Sequence, residues 1–446
     1  MKIVDNRLFN KWIGVMMVAT MLGGFTDIYN VVVVGASSLT LIPSLHLTSS
    51  DYGLVAAMPF IGSPFGAILI GPLSDKFGRK ATFTYTLLAF TAAMVISAFV
   101  TSYYELLAIR FVAGVVIGAD LVVSYLLTSE LSLKKTRGRN SSLIVFLQTT
   151  GAWVALILAY FLITPLGDLQ WRALFLIGAI FPAIGFVVRT KMPEPPRWSV
   201  ADGNMERAKK DLMKIGMSED SIELFKMDKP AKGVDSKKVF RKYALPIIIP
   251  LFVVTFLINI PIAGFAALSP LIFSSLKIPN SKSLLYSFLI VQIPEGLGIL
   301  FVTFATDKIG RHVPIIVGSI ITGIVLILAG YFFVLHNVIL FIIFLIIGAF
   351  VLDIAITVTY FIAAELFPER NRGTGQGINV VALRSGGIFA TYGGALLLST
   401  YGGGGILYFY GIVMLIAFPI SLWALGKKID TKQKDLEYVS NRFLND

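Results

Sequence analysis

Twelve runs of about 20 predominantly apolar residues follow one another along this chain, each long enough to cross a hydrocarbon layer of about 30 Å as a helix. They fall near 12–42, 52–72, 81–100, 103–130, 141–163, 171–190, 243–275, 281–306, 313–333, 338–364, 374–400 and 404–425. In lipid a spanning segment must satisfy its own N–H and C=O groups, which a helix does within itself; a barrel would show short alternating strands instead. Composition agrees. Only 14% of the 446 residues are charged and 56% are hydrophobic, against roughly 25% charged in a soluble domain, so the chain lacks the polar surface that a soluble fold of this size needs. The expected fold is an all-α membrane protein with 12 transmembrane helices. Gly114 and Gly118 predict close helix contacts, and Pro59, Pro64, Pro261 and Pro270 predict bends. The first run is too long for a signal peptide and lacks a small-residue cleavage site, so it reads as a retained helix.

The net charge of +12 would suit a nucleic-acid partner if the basic residues formed a patch. They do not. Of the 38 Lys and Arg, 32 lie at the amino terminus, in alternate loops, in residues 191–242 and in the tail. Basic residues accumulate in cytoplasmic loops, so this one-sided count predicts a multi-pass protein of the cell membrane with both termini cytoplasmic, and no nucleic-acid partner. Cysteine is absent and histidine occurs three times, which excludes disulfides and thiolate metal centres. No metal or cofactor is expected. No GxxxxGK[ST] phosphate loop is present, and the Gly-rich YGGGG at 401–405 lacks the lysine that an ATP-driven pump would need. No enzymatic chemistry is expected.

Residues 191–242 are the one substantial polar stretch; their PEPPRW and ERAKKDLMKIG segments read as a stiff exit followed by a short amphipathic helix. They divide the chain into an amino-terminal six-helix bundle (1–190), a cytoplasmic linker (191–242), a carboxyl-terminal six-helix bundle (243–426) and a tail (427–446). The halves repeat each other. SDKFGRK at 74–80 recurs as TDKIGRH at 306–312, and Glu130 with Arg137-Gly138 recurs as Glu365 with Arg372-Gly373. Two pseudo-symmetric bundles that rock about a central cavity give the alternating-access geometry of one transporter class.

These elements resemble the major facilitator superfamily along the whole chain. GPLSDKFGRK at 71–80 resembles its loop 2–3 motif, RFVAGVVIGAD at 110–120 with SEL at 129–131 its fourth-helix pattern, and AELFPERNRG at 364–373 the matching carboxyl-half element. PEPPRW at 193–198 looks like the sugar-porter and organic-ion-transporter branch. GFTDIYN at 24–30, GAD at 118–120 and Gln148 look like the phosphate:proton symporters, and VQIPEG at 291–296 is similar to organic-cation carriers. The resemblance implies that the loop residues Asp75, Arg79, Glu130, Asp307, Arg311 and Glu365 act as gates that clamp neighbouring helices.

Inside the spans the ionisable residues are Asp27, Arg110, Asp120, Glu295, Asp353 and Arg384. Such groups are costly in hydrocarbon unless they face the bundle interior, pair or titrate. Asp120 lies about 15 Å along its helix from Glu130, and Asp27 about 24 Å from Lys11. Both are therefore near mid-membrane and are the candidate proton carriers; a salt bridge with Arg110 or Arg384 is the alternative for each. Arg384, a guanidinium fork beside glycines, is the candidate anion site. Its rival is the acidic pair Glu295 and Asp353, which would attract a cation. Tyr29, Gln148, Asn259, Gln292 and Tyr360 are candidates for the rest of a substrate pocket, and Arg110 reads as a structural pair. The expected protein is a proton-coupled symporter of a small anionic solute such as phosphate or an organic carboxylate, working as a monomer. The alternative is a carrier of a sugar, polyol or organic cation, by symport or facilitated diffusion. Its partners are the solute, protons and membrane lipid.

Overall fold

The computed structural model describes residues 6–77, 79–131, 137–192, 205–214, 248–366 and 372–425. Helices account for nearly all of them, and no strand occurs among the described residues. The first group comprises α1 (Asn6–Ser44), α2 (Ser49–Phe77), α3 (Arg79–Phe99), α4 (Tyr103–Leu131), α5 (Arg137–Leu166) and α6, which runs as Gln170–Gly178 and Ile180–Thr190. A short helix, Met205–Lys214, lies in the expected linker. The second group comprises α7 (Ile249–Ser274), α8 over 280–309, α9 (His312–Val334), α10 (Val338–Leu366), α11 over 372–401 and α12 over 403–425.

Nine stretches among the described residues are long and apolar enough to span a membrane, two of them 46 and 47 residues long. Each long one doubles back at a glycine in the left-handed region, Gly167 (φ 52) between α5 and α6 and Gly402 (φ 68) between α11 and α12, a conformation that costs glycine little. Ile68, Phe304, Ile339 and Trp423 stand exposed on the outer surface, as expected where lipid and not water is the solvent.

Packing repeats between the two groups. In the first, α1 lies on α5, α2 on α4 and α3 on both α4 and α6; in the second, α7 lies on α11, α8 on α10 and α9 on both α10 and α12. Across the seam α1 meets α7, α5 meets α8 and α2 meets α11, the pairing that a two-fold relation between the halves requires. Even the turns correspond. His46 (φ 50) after α1 and Lys277 (φ 59) after α7 take the same unusual left-handed backbone.

Glycine sets how closely α2 and α4 approach. A Cβ at Gly114 would strike the backbone of Pro59, one at Gly118 the backbone of Ser63, and one at Gly66 the carbonyl of Val115. The predicted contacts at Gly114 and Gly118 are therefore present. Small residues allow such approach, and dispersion and interhelical contacts then hold the pair without help from water.

At the face remote from the chain termini the two halves touch. The Tyr52 hydroxyl of α2 donates to the Ala267 carbonyl of α7 at 2.6 Å, and a Cβ at Gly35 of α1 would lie 2.5 Å from the Ala266 carbonyl oxygen. The seam is closed on this side. Gly118→Leu should force α2 and α4 apart and lower stability by about 1–3 kcal/mol, read as a fall in the thermal unfolding midpoint of the purified protein.

Candidate functional site

The seam carries an ion pair. Arg384 of α11 donates through Nη2 to Asp27 Oδ2 of α1 at 2.8 Å, and both side chains are about nine-tenths buried. This joins one charge from each half across the interface. The Arg384 guanidinium also lies 5.7 Å from the ring centroid of Phe60 on α2, and Gly387, one turn on, leaves room for that ring. Beside it Asn259 Nδ2 of α7 donates to the Leu383 carbonyl at 2.6 Å, which fixes α7 to α11 next to Arg384. The second oxygen of Asp27 has no hydrogen-bond partner among the described residues.

Asp27 also lines a small cavity together with Gly23, Thr26, Thr86 and Phe90. Asp120 lines it too. Arg189, at the end of α6, donates to both oxygens of Asp120, to Phe83 O at 2.6 Å and to Ala19 O at 3.1 Å. Thr86 Oγ1 adds a bond to Asp120 at 2.9 Å, and the Arg189 guanidinium stacks 3.4 Å from the centroid of Phe83. Removing either charge would leave the other buried and uncompensated.

For Asp27 the alternative of a salt bridge with Arg384 is what the structure shows; for Asp120 the expected partners are corrected. Arg110 does not reach Asp120: ten residues separate them on one helix, about 15 Å. Arg110 instead donates to the side chain of Asn30 and, at 2.9 Å, to its carbonyl, 5.7 Å from the ring centroid of Phe175. Its expected structural role fits that arrangement. Arg189 is not among the intramembrane residues that the sequence singles out. The available signal was its place inside an apolar run, IFPAIGFVVRT, where a merely topological arginine would sit beyond the helix end.

In the second half, Glu295 of α8 and Asp353 of α10 are both buried, on two helices that pack against each other. Gln292 Nε2 donates to Glu295 Oε2 at 2.6 Å, directly after the wide turn Ser287–Gln292. Turns of this π type recur at functional positions in helices. A second one, Phe389–Gly393, follows Arg384 in α11. Across the seam Trp153 Nε1 of α5 donates to the Gln292 carbonyl at 2.9 Å, and its ring meets Phe146 and Phe288 edge-on. Trp153 was not among the sequence candidates; a tryptophan in the middle of an apolar run looks like any other packing residue.

The remaining candidates divide. Tyr29 is fully buried in the first half, where its hydroxyl donates to Leu174 O at 2.7 Å, so the donor expected for a pocket is already used as glue between α1 and α6. Gln148 on α5 packs over Gly24 of α1, whose missing side chain makes the space for it. Tyr360 is half-buried on α10, two turns beyond Asp353. Among the gate candidates Arg311 is buried at the start of α9; the side chains of Asp75, Arg79, Glu130, Asp307 and Glu365 lie outside those described.

Two helix groups with closely matching packing, joined across a seam by a buried ion pair, form the kind of internal repeat on which many membrane transporter folds are built. Over residues 15–443 the chain matches the family described as sugar (and other) transporter, and it belongs to that family within the major facilitator superfamily. It is 26% identical over 429 residues to the putative metabolite transport protein YwtG of Bacillus subtilis (strain 168), covering 94% of this chain and 92% of the relative. It is 28% identical over 417 residues to the putative niacin/nicotinamide transporter NiaP of the same organism, covering 89% and 92%. To that organism's major myo-inositol transporter IolT it is 25% identical over 354 residues, covering 76% and 75%. Among solved structures, the proton:xylose symporter XylE of E. coli, bound to 6-bromo-6-deoxy-D-glucose, superposes with a TM-score of 0.78 over 98% of this chain and 100% of that chain, at 21% identity. At that identity the likeness is one of fold. The chain is thus a multi-pass membrane transporter. The expectation of an anionic solute such as phosphate is not supported, and the sugar or polyol alternative fits this family better. There is a physical reason as well, since the guanidinium expected to hold the anion is engaged by Asp27.

Arg189→Ala should leave Asp120 buried without its cation and cost about 3–5 kcal/mol of stability. Arg189→Lys should retain part of it, as measured by thermal unfolding of both variants against wild type.

Proposed function

We propose that the protein is a proton-coupled symporter of a neutral polyhydroxylated solute, a sugar or polyol, operating by alternating access in the cell membrane with both termini cytoplasmic. The observation that carries the coupling is the Asp27–Arg384 pair, because it links the two bodies that must move apart. A proton on Asp27 cancels its charge and removes the attraction that holds α1 to α11. Loss of the proton restores it. The small cavity between Asp27 and Asp120, with Thr26 and Thr86 on its wall, is a path for the proton towards the terminal side of the first half.

Solute binding belongs to the seam at the same depth. Gln148 and Trp153 on α5, Asn259 on α7 and Gln292 on α8 place amide groups next to an aromatic face; Trp153, Asn259 and Gln292 each already spend one N–H inside the protein, so a solute hydroxyl would use the amide atoms left over or exchange with those bonds. These groups carry no net charge, which favours a neutral solute. Coupling follows if the rocking step is favourable with solute and proton both bound, or both absent, and unfavourable with one alone. The family match over nearly the whole chain and the myo-inositol and xylose relatives support this reading.

Purified protein reconstituted in liposomes with an imposed pH gradient should accumulate xylose or myo-inositol, and a protonophore should abolish the accumulation. Gradient-driven uptake of nicotinate, phosphate or an amine, with no sugar or polyol uptake, would overturn the neutral-solute reading. Asp27→Asn should keep solute exchange at equal pH while losing gradient-driven accumulation; accumulation that survives in this variant removes Asp27 from the coupling step.

A further inference from the structure

Glu295 and Asp353 take no part in the Asp27–Arg384 pair. Their side chains are 6% and 7% exposed, on neighbouring helices in the second half. A Cβ built on Gly298, one turn beyond Glu295 on the same face of α8, would sit 3.5 Å from the Asp353 Cβ, which sets Asp353 against that face of α8. One oxygen of each, Glu295 Oε1 and Asp353 Oδ2, is buried without a hydrogen-bond partner among the described residues. Two like charges on packed helices in a low-dielectric interior repel, and an unpaired buried carboxylate oxygen is costly.

The groups on the packed elements offer little relief. α7 carries no ionisable residue over Ile249–Ser274. α5 presents Trp153, its arginines Arg137 and Arg139 lie at its first turn, and Tyr160 lies near its far end. α9 has His312 as its first residue and Tyr331 near its other end. α10 adds Tyr360 and Glu365, and α8 itself has Lys282 and Tyr286 before Glu295 and Asp307 and Lys308 after it. Arg384 of α11 pairs with Asp27 across the seam. Among the described residues, the amide of Gln292 donates to the pair, on Glu295 Oε2.

We propose that Glu295 and Asp353 form a second proton-binding site, in which the two carboxyl groups share one proton and together carry a single negative charge. The proton turns one unpartnered oxygen into a donor and leaves the other as its acceptor, so both are satisfied at once. Trp153 contacts the neighbouring Gln292 from across the seam, so the site senses whether α5 and α8 are together or apart. The proposal stands independently of the proposed solute and of Asp27, since proton occupancy is read on the purified protein without transport.

The test is infrared titration of the full chain in lipid, where a protonated carboxyl group absorbs apart from a carboxylate, together with thermal unfolding against pH. Wild type should show a protonated-carboxyl band at neutral pH that is missing from the double variant Glu295→Gln, Asp353→Asn. A folded state that holds one proton more than the unfolded state loses stability as pH rises above the ordinary carboxyl range, by about tenfold in the unfolding equilibrium constant per pH unit. The double variant should lack that loss. If the double variant does not fold, Asp353→Asn alone should shift the frequency of the remaining band, because Glu295 would then face an amide. An unchanged band and an unchanged pH slope in these variants would overturn the proposal. Stabilisation of wild type by sodium over choline at alkaline pH, absent from the variants, would also overturn it and make the pair a metal-cation site.

Discussion

A charge held inside a lipid-embedded bundle must be paired, hydrogen-bonded or neutralised by a proton, because no water is at hand to solvate it. The middle layer of this protein is built around that requirement. Asp120 is met within one half by Thr86 and by Arg189, whose guanidinium stacks on Phe83; Arg110 is met by the side-chain oxygen and carbonyl of Asn30. These are permanent ties. Asp27 and Arg384 satisfy each other only when the halves are together, so their electrostatics cannot be separated from the position of the two bodies. One kind of interaction thus serves two purposes according to whether it lies inside a half or between halves.

The rest of the architecture supports that distinction. Within a half, glycines let helices approach until backbone meets backbone, as Gly114 and Gly118 do against α2, and packing of this kind resists rearrangement. Between halves the remote face closes through fewer contacts, the Tyr52 hydroxyl on Ala267 and the bare backbone of Gly35 against α7. Rigid bodies and a lighter seam are what a rocking mechanism needs. The duplicated turns at His46 and Lys277 show that each half reuses one chain path.

Much of the fold was legible from the chain. Apolar runs end where helices end within a few residues, and the repeated SDKFGRK and TDKIGRH segments announce two related halves before any helix is placed. The site was legible in part. Asp27, Asp120 and Arg384 stand out because ionisable residues are rare within such runs, yet Asp120 was offered the wrong partners. Its true partner, Arg189, comes from a helix 69 residues away in sequence, at a helix end where an arginine is expected to reach water and here turns inward instead. Tyr29 and Trp153 show the reverse difficulty. An aromatic side chain in an apolar run is equally suited to a pocket and to packing, and only the direction it points separates the two.

The sequence by itself determined the solvent, the helical form, the internal repeat and the short list of buried charges, because each of these follows from the local count and spacing of apolar and charged residues. Only the tertiary structure decided which charge meets which. Pairing depends on the rotation of each helix about its axis and on which helices become neighbours, and neither is set by spacing along one helix. For that reason a chain whose arginine at 384 suggested an anion site has that arginine bound to its own Asp27. The solute reading moves from anion to sugar or polyol accordingly, in line with the family to which the chain belongs.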